Sequence, residues 1–327
     1  MLSRRDFVIS AAAAGALSAA GIAIGQGVWP SKPVRVINPF PAGGGTDAFL
    51  RPVAARLSQI MGQQFTVENL GGAGGSVGAA AAAKAAPDGY TLFCGAVHHT
   101  IAESLYTRLP YNIERDFVPI TVLAYVPNVV VVHPKYTEIN TLADFLAFAR
   151  KNPGKLNFGS AGNGTSHHLT VELFKQMTKT FMTHIPYRGA GPMMQDLLAG
   201  SVDFAFDGMG TSAAQIKGGK LKALAVTSAQ RVPAFPNVPT MDESGIKGYQ
   251  ATTWYGLWAV KGTPPDVISR TQQEVAKVMQ EAPIKEFWFN QGAEAGGNTP
   301  ADFSRFIRAE IEKWAVVVKA SGAKIDL

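Results

Sequence analysis

Two short stretches of this chain combine small residues, hydroxyls and an expected helix start, a combination suited to holding an anion. The first is Phe40-Pro41-Ala42-Gly43-Gly44-Gly45-Thr46-Asp47, which follows a strand-like run and leads straight into an amphipathic segment. Glycines let backbone N–H groups converge, and the start of a helix adds the positive end of its dipole. A phosphate cradle would end in Gly-Lys-Ser/Thr. Here Gly45-Thr46-Asp47 puts an acid where the lysine would stand, so a carboxylate or another small anion suits the loop better. A simple helix cap by Thr46 or Asp47 would account for those residues but not for three glycines in a row. The second stretch, Gly159-Ser160-Ala161-Gly162-Asn163-Gly164-Thr165-Ser166-His167-His168, has the same order of strand end, small residues and helix. The hydroxyls of Ser160, Thr165 and Ser166 can donate to anion oxygens as the backbone does. Two such loops, one in each half of the chain, can grip one ligand from both sides.

A third loop, Pro186-Tyr187-Arg188-Gly189-Ala190-Gly191-Pro192, also joins a strand to a helix. Arg188 can pair with a carboxylate in fork geometry, or form an ordinary surface ion pair. Asp207 closes the next strand and is placed to receive a donor group of the ligand. Other motifs point to chemistry less well. Gly74-Gly75-Ser76-Val77-Gly78 fits the G-x-S-x-G pattern of a hydrolase nucleophile, which makes Ser76 the alternative reading. That elbow needs a strand running directly into the serine, whereas four glycines and an alanine follow Asn69-Leu70. Gly72, Gly74 and Gly78 depart from the dinucleotide spacing, and the strand after them ends without the ribose-binding acid. The pairs His98-His99 and His167-His168 lack the spacing of metal ligands, so neither metal nor cofactor is expected. Cys94, the only cysteine, sits in a strand-like run and reads as a small buried hydrophobe.

The elements that must position these loops alternate strand and helix. Residues 34–38 read as a strand, 47–61 as a helix with Leu50, Val53, Ala54, Leu57 and Met61 on one face, and 65–68 as a strand. Helix 79–86 and strand 90–96 complete a βαβαβ series, which argues for a largely parallel sheet covered by helices. Residues 118–133 then form an extended run too long for one ordinary strand, suited to crossing between domains. A second series follows: helix 141–151, strand 156–159, helix 167–178, strand 183–187, helix 193–199, and strands 203–206 and 221–227. A second long extended run, 250–260, is the natural return crossing. On it Trp254 and Trp258 share one face and Tyr255 takes the other. Helices 265–280 and 301–320 close the chain. The expected domains are residues 26–125 with 250–327, and residues 126–249, hinged at the two crossings.

Composition agrees with a globular protein: of 327 residues, 46% are hydrophobic and 17% charged. The net charge of +6 comes from scattered Lys and Arg without a basic run, so nucleic acid is not an expected partner. At the N-terminus Ser3-Arg4-Arg5-Asp6-Phe7-Val8-Ile9 resembles the twin-arginine export consensus. The Ala/Gly-rich run after it is short for a membrane span. Ala23-Ile24-Gly25 offers small residues for cleavage, so residues 1–25 read as a signal peptide and the location as periplasmic.

PFPAGGGTD, ENLGGAGG with PDGYTL, GSAGNGTSHHL, HIPYRGAGP and PNVPTMDESG, in this order, resemble the Bug-type solute receptors of tripartite tricarboxylate transporters. The resemblance runs from about Trp29 to the C-terminus. It implies an α/β, two-domain periplasmic-binding-protein fold (type II-like), with parallel-rich sheets flanked by helices and two crossover strands as the hinge. It implies a monomer that is not an enzyme and that captures a di- or tricarboxylate or an aromatic carboxylate for a membrane permease or a sensor. Carried onto this chain, the gripping loops are residues 40–47 and 160–166, and His98 meets the variable end of the ligand.

Overall fold

A computed structural model of the chain describes residues 29–321 and residue 324. Of these, residues 29–31 fall in one unit and the residues from Lys32 onward in another, and the fold belongs to the second. The expected signal peptide lies outside the described residues.

Three strands, β1 (Val34–Asn38), β2 (Phe65–Asn69) and β3 (Thr91–Ala96), lie parallel in the order β2-β1-β3. Each is followed by a helix: α1 (Gly45–Met61), α2 (Ser76–Ala83) and α3 (Val97–Leu105). The 16-residue β4 (Phe117–Val132), rich in valine, and α4 (Leu142–Lys151) come next. A second parallel trio repeats the plan: β5 (Asn157–Ser160), β6 (Thr183–Pro186) and β7 (Phe204–Gly208), followed by α5 (Ser166–Thr178), α6 (Ala190–Leu198) and α7 (Met209–Lys217). After β8 (Lys222–Val226), the chain returns along β9 (Thr252–Val260). It ends with α8 (Pro265–Val278), α9 (Ala282–Asn290), the short β10 (Glu294–Ala295) and α10 (Pro300–Ser321). Among the described residues no helix is long and apolar enough to cross a membrane.

The long β4 belongs to both trios. Its residues from Phe117 to Pro127 pair antiparallel with β9, which in turn pairs antiparallel with β3. From Asn128 to Val132 it pairs instead with β7 and β8. Parallel pairing therefore holds inside each trio, and antiparallel pairing appears where the crossing strands enter. Both faces of β4 are covered by helices, which is why it reads as an almost unbroken apolar run. The crossings are tied together by side chains. Thr253 Oγ1 donates to Asn128 Oδ1 at 2.8 Å, and Asn128 N–H donates to Thr227 Oγ1 at 3.0 Å. Thr227 also donates to the Ala251 carbonyl.

Alternation along β9 sorts its aromatic residues. Trp254 and Trp258 lie 5.9 Å apart, and both pack on Phe303 of α10. Tyr255 faces the other way and stacks on Phe49 of α1 at 5.5 Å. The buried Glu310 receives both indole N–H groups, from Trp254 at 2.9 Å and from Trp314 at 3.1 Å.

Three helices go beyond the pattern read from the sequence. Residues 97–105 form α3 although they contain two histidines and lack a capping residue at the start. Residues 209–217 form α7 despite a sparse apolar stripe, and α9 starts with a proline in its first turn, where a missing N–H costs nothing. Helix α2 starts at Ser76, not Ala79, because the glycines before it form a tight 3-10 turn, Ala73–Gly75, that feeds straight into it.

Replacing Glu310 with Leu strands two buried indole donors and should destabilise the fold by about 2–4 kcal/mol. Glu310→Gln, which keeps an acceptor oxygen, should cost clearly less. Urea unfolding of the two variants checks the order.

Candidate ligand-binding site

Six helices begin at the C-terminal ends of the parallel strands, and in none does the N-cap side chain accept from the first turn, although on α3 the N-cap Ala96 N–H donates to His99 Nδ1 at 3.0 Å. The N-cap residues are Gly44, Gly75, Ala96, Thr165, Gly189 and Gly208. On α4, away from this edge, Thr141 caps the first turn and forms a full capping box with Asp144. The contrast is physical: uncapped helix starts keep their N–H donors and positive dipole ends for something else.

The starts of the two trios meet. A Cβ placed on Gly44 would lie 3.9 Å from the Gly191 nitrogen, and one on Gly189 would come within 2.9 Å of Pro41 Cδ. Gly189 also has φ 139°, a conformation that side chains rarely adopt. Residues 40–44 of the first loop therefore abut residues 189–191, placing Phe40, Pro41, Ala42, Gly43 and Gly44 beside the third loop. Below them a cleft of about 280 Å³ is lined by Phe40, residues 72–75, Tyr106, residues 161–163 and residues 186–188. Ala161, Gly162, Tyr187 and Arg188 are thus cleft residues, and the exposed Arg188 has no ion-pair partner among the described residues. Asn163, within the expected 160–166 loop, also lines the cleft, as do residues 72–75 and Tyr106, which were not expected at the site. The glycines were read as departures from a hydrolase and a dinucleotide motif, and nothing in the pattern marks Tyr106.

Several polar groups expected at the ligand hold the loops instead. The Asp47 carboxylate accepts from Arg51 Nε at 2.7 Å, Gly43 N–H at 3.1 Å, and the Asn38 and Asn69 amides at 3.2 Å each. Burial works to raise its pKa, yet Arg51, Gly43 and Asn69 hold it below the usual carboxylate range. Asp47 therefore shapes the first loop, and the donors left for a ligand are the first N–H groups of α1, beside the buried Thr46. In the second loop Thr165 Oγ1 donates to the Gly162 carbonyl at 2.8 Å. Ser160 Oγ accepts from Gly162 N–H at 3.1 Å and lies 2.6 Å from His184 Nε2. Ser166 Oγ pairs with Thr253 Oγ1 of the crossing at 3.0 Å. Tyr187 donates its hydroxyl to Asp196 at 2.7 Å and offers the cleft only its remaining surface. These hydroxyls lock the loops; the backbone does the presenting. His184, stacked 4.0 Å from His168, went unremarked in the sequence because nothing in its spacing ties it to Ser160.

His98 joins the two trios. Its Nδ1 accepts the first N–H of α5, from Ser166, at 3.1 Å, while its ring lies edge-on to Phe40 at 5.1 Å. His98 thus caps the second clamp helix from the opposite side. His167 lies 6.1 Å from it, and its Nδ1 is 3.6 Å from Asp207 Oδ1. Burial pushes the pKa of His98 well below the ordinary value, with His167 and His99 adding to it; burial likewise lowers His167, and takes His99 down to about 4. Tyr255 Oη reaches the same place, since a Cβ on Gly45 would sit 2.1 Å from it.

The enzyme motif is not assembled. Ser76 follows a 3-10 turn instead of a strand, and its buried Oγ has no hydrogen-bond partner, histidine included. Among the described residues no group of three or more His, Cys, Asp or Glu is arranged to hold a metal ion. Cys94 is buried, which raises its thiol pKa.

Residues 49–323 match the sequence model of the tripartite tricarboxylate transporter family receptors. A Rhodopseudomonas palustris protein solved with adipate superposes with TM-score 0.88 at 36% identity, over 91% of this chain and 100% of that one. The periplasmic binding protein BugD gives TM-score 0.87 at 33% identity, over 91% and 100%. MatC from the same R. palustris, solved with malate, gives 0.84 at 30%, over 89% and 100%.

Gly45→Ala should collide with the buried Tyr255 and cost about 1–3 kcal/mol, as overpacking does; thermal unfolding reads it. The buried histidines set a pH dependence. An unfolded histidine takes up its proton near pH 6.5, whereas these do so only at lower pH, so the unfolded chain binds more protons between the two values. Stability should therefore fall as pH drops from 7 towards 4, by about 1.4 kcal/mol per pH unit for each such group. Urea midpoints at pH 7 and pH 5 check it.

Proposed function

The chain belongs to the tripartite tricarboxylate transporter receptors, which are solute-binding proteins and not enzymes, and on that premise we propose that it captures a small carboxylate by closing two lobes around it. In this reading residues 26–125 with 250–327 form one lobe and residues 126–249 the other, and the hinge is the pair of crossings. The observation that carries the reading is the meeting of helix starts from opposite trios of one sheet: α1 abuts α6 at Gly44 and Gly191, and His98 of α3 accepts the first N–H of α5. Similar structures hold adipate and malate, both carboxylates, in line with this chemistry.

The ligand carboxylate is held by the first N–H groups of α1 around Gly44 and Thr46, with the backbone of Ser160 and Ala161 opposite. Phe40 and Tyr187 wall the cleft, and Arg188 faces the far end of the ligand, where a second carboxylate would pair with it. His98 latches the lobes by accepting from Ser166, so the ligand and this bond favour the same closed arrangement. Thr253 links Ser166 to Asn128, which couples the clamp to the hinge. Export by the twin-arginine-type signal of residues 1–25 would place a monomeric receptor in the periplasm. There the closed form is handed to a permease of a tripartite tricarboxylate transporter, or to a sensor.

A thermal-shift screen against mono-, di- and tricarboxylates and aromatic acids tests the reading. A cognate acid at a hundred times its Kd should stabilise the protein by about 2.7 kcal/mol, a shift of several degrees. A screen in which no acid raises Tm at millimolar concentration would contradict it.

A further inference from the structure

Where β7 ends, buried polar atoms lack partners. Asp207 ends β7 with no exposed surface, and one of its oxygens, Oδ2, accepts from the hydroxyls of Thr211 and Ser212. The other, Oδ1, has no hydrogen-bond partner. His167, only 3% exposed, has no partner at either ring nitrogen, and its 3.6 Å approach to Oδ1 is too long for a hydrogen bond. Buried polar groups are almost always paired, so orphans on two adjoining residues mark a place built for another group.

The place adjoins the carboxylate grip. A Cβ on Gly208 would lie 3.6 Å from Tyr255 Oη and 3.9 Å from His167 Nε2, and the same Tyr255 hydroxyl touches Gly45 at the start of α1. The phenol hydroxyl therefore lies beside both the start of α1 and Gly208, the residue that follows Asp207. Burial raises the pKa of Tyr255, with Asp207 and Cys94 adding to it, so the phenol stays neutral and can donate. The charges facing this spot are few. Asp207 has no Lys or Arg partner among the described residues, and its only ion-pair neighbour is His167. His98, across from His167, uses its Nδ1 on Ser166. An acceptor oxygen of a buried acid, with no cation beside it, calls for a donor.

We propose that the ligand carries a hydrogen-bond donor close to the gripped carboxylate, as 2-hydroxy and 2-amino acids do, and that Asp207 Oδ1, with His167, receives it. The proposal rests on the carboxylate reading above. A ligand with a plain methylene at that position leaves the buried acceptor unpaired, which discriminates far more strongly than a missing apolar contact.

The test is titration calorimetry of the mature wild-type protein with matched acids: succinate, malate and aspartate; adipate, 2-hydroxyadipate and 2-aminoadipate; phenylacetate, mandelate and phenylglycine. In whichever series binds, the donor-bearing member should bind at least tenfold more tightly than its plain counterpart. The hydroxy and amino arms then show which donor the site takes. Equal affinity within a series would overturn the inference while leaving the carboxylate receptor intact. Binding by none of the nine would overturn the receptor reading and the inference with it. In Asp207→Asn, checked for native Tm, the preference should shrink to less than threefold; its survival would remove Asp207 from the role.

Discussion

The structure depends on one electrostatic constraint: six helices start at the C-terminal edge of the sheet with no side-chain cap of their own. A helix start without a cap leaves N–H donors and a partial positive charge unanswered. Side chains that could have answered are turned to other partners. Asp47 folds back on Gly43, Arg51, Asn38 and Asn69, and Thr165 turns to Gly162. Only α5 receives a cap from elsewhere, the Nδ1 of His98 from the opposite trio. The fold therefore converges backbone donors on one place and ties its two halves together at the same point.

The crossings join the two trios through one strand. Because β4 pairs with β9 over one stretch and with β7 and β8 over the next, the two trios share one continuous strand whose partners change at Pro127 and Asn128. Thr227, Thr253 and Ser166 extend from that point to the clamp loop by short hydrogen bonds. Rotation at the crossings would thus be felt at the second loop through a few named bonds.

How much of this was legible in the sequence varies with the physics involved. The strands and crossings were readable because β-branched and aromatic runs of 5–16 residues announce themselves. The alternation on β9 placed Trp254 and Trp258 together and Tyr255 apart. Glycine runs marked the loops, since only close backbone approach explains three glycines together. What escaped is side-chain direction. Nothing in a linear pattern says that Asp47, Ser160, Thr165 and Ser166 turn inward to brace their own loops. Nor could spacing bring His184 to Ser160, or His98 to Ser166 across 68 residues. Helices α3, α7 and α9 escaped because tertiary packing, not capping or a broad apolar stripe, sustains them.

The central claim is that one carboxylate is held by backbone donors from both trios at once. A crystal structure of the protein with the acid that gives the largest thermal shift tests it most directly. The account predicts carboxylate oxygens within about 3 Å of N–H groups in both residues 43–46 and residues 160–163. A carboxylate bound to only one loop, or held by side chains away from the two helix starts, would contradict it.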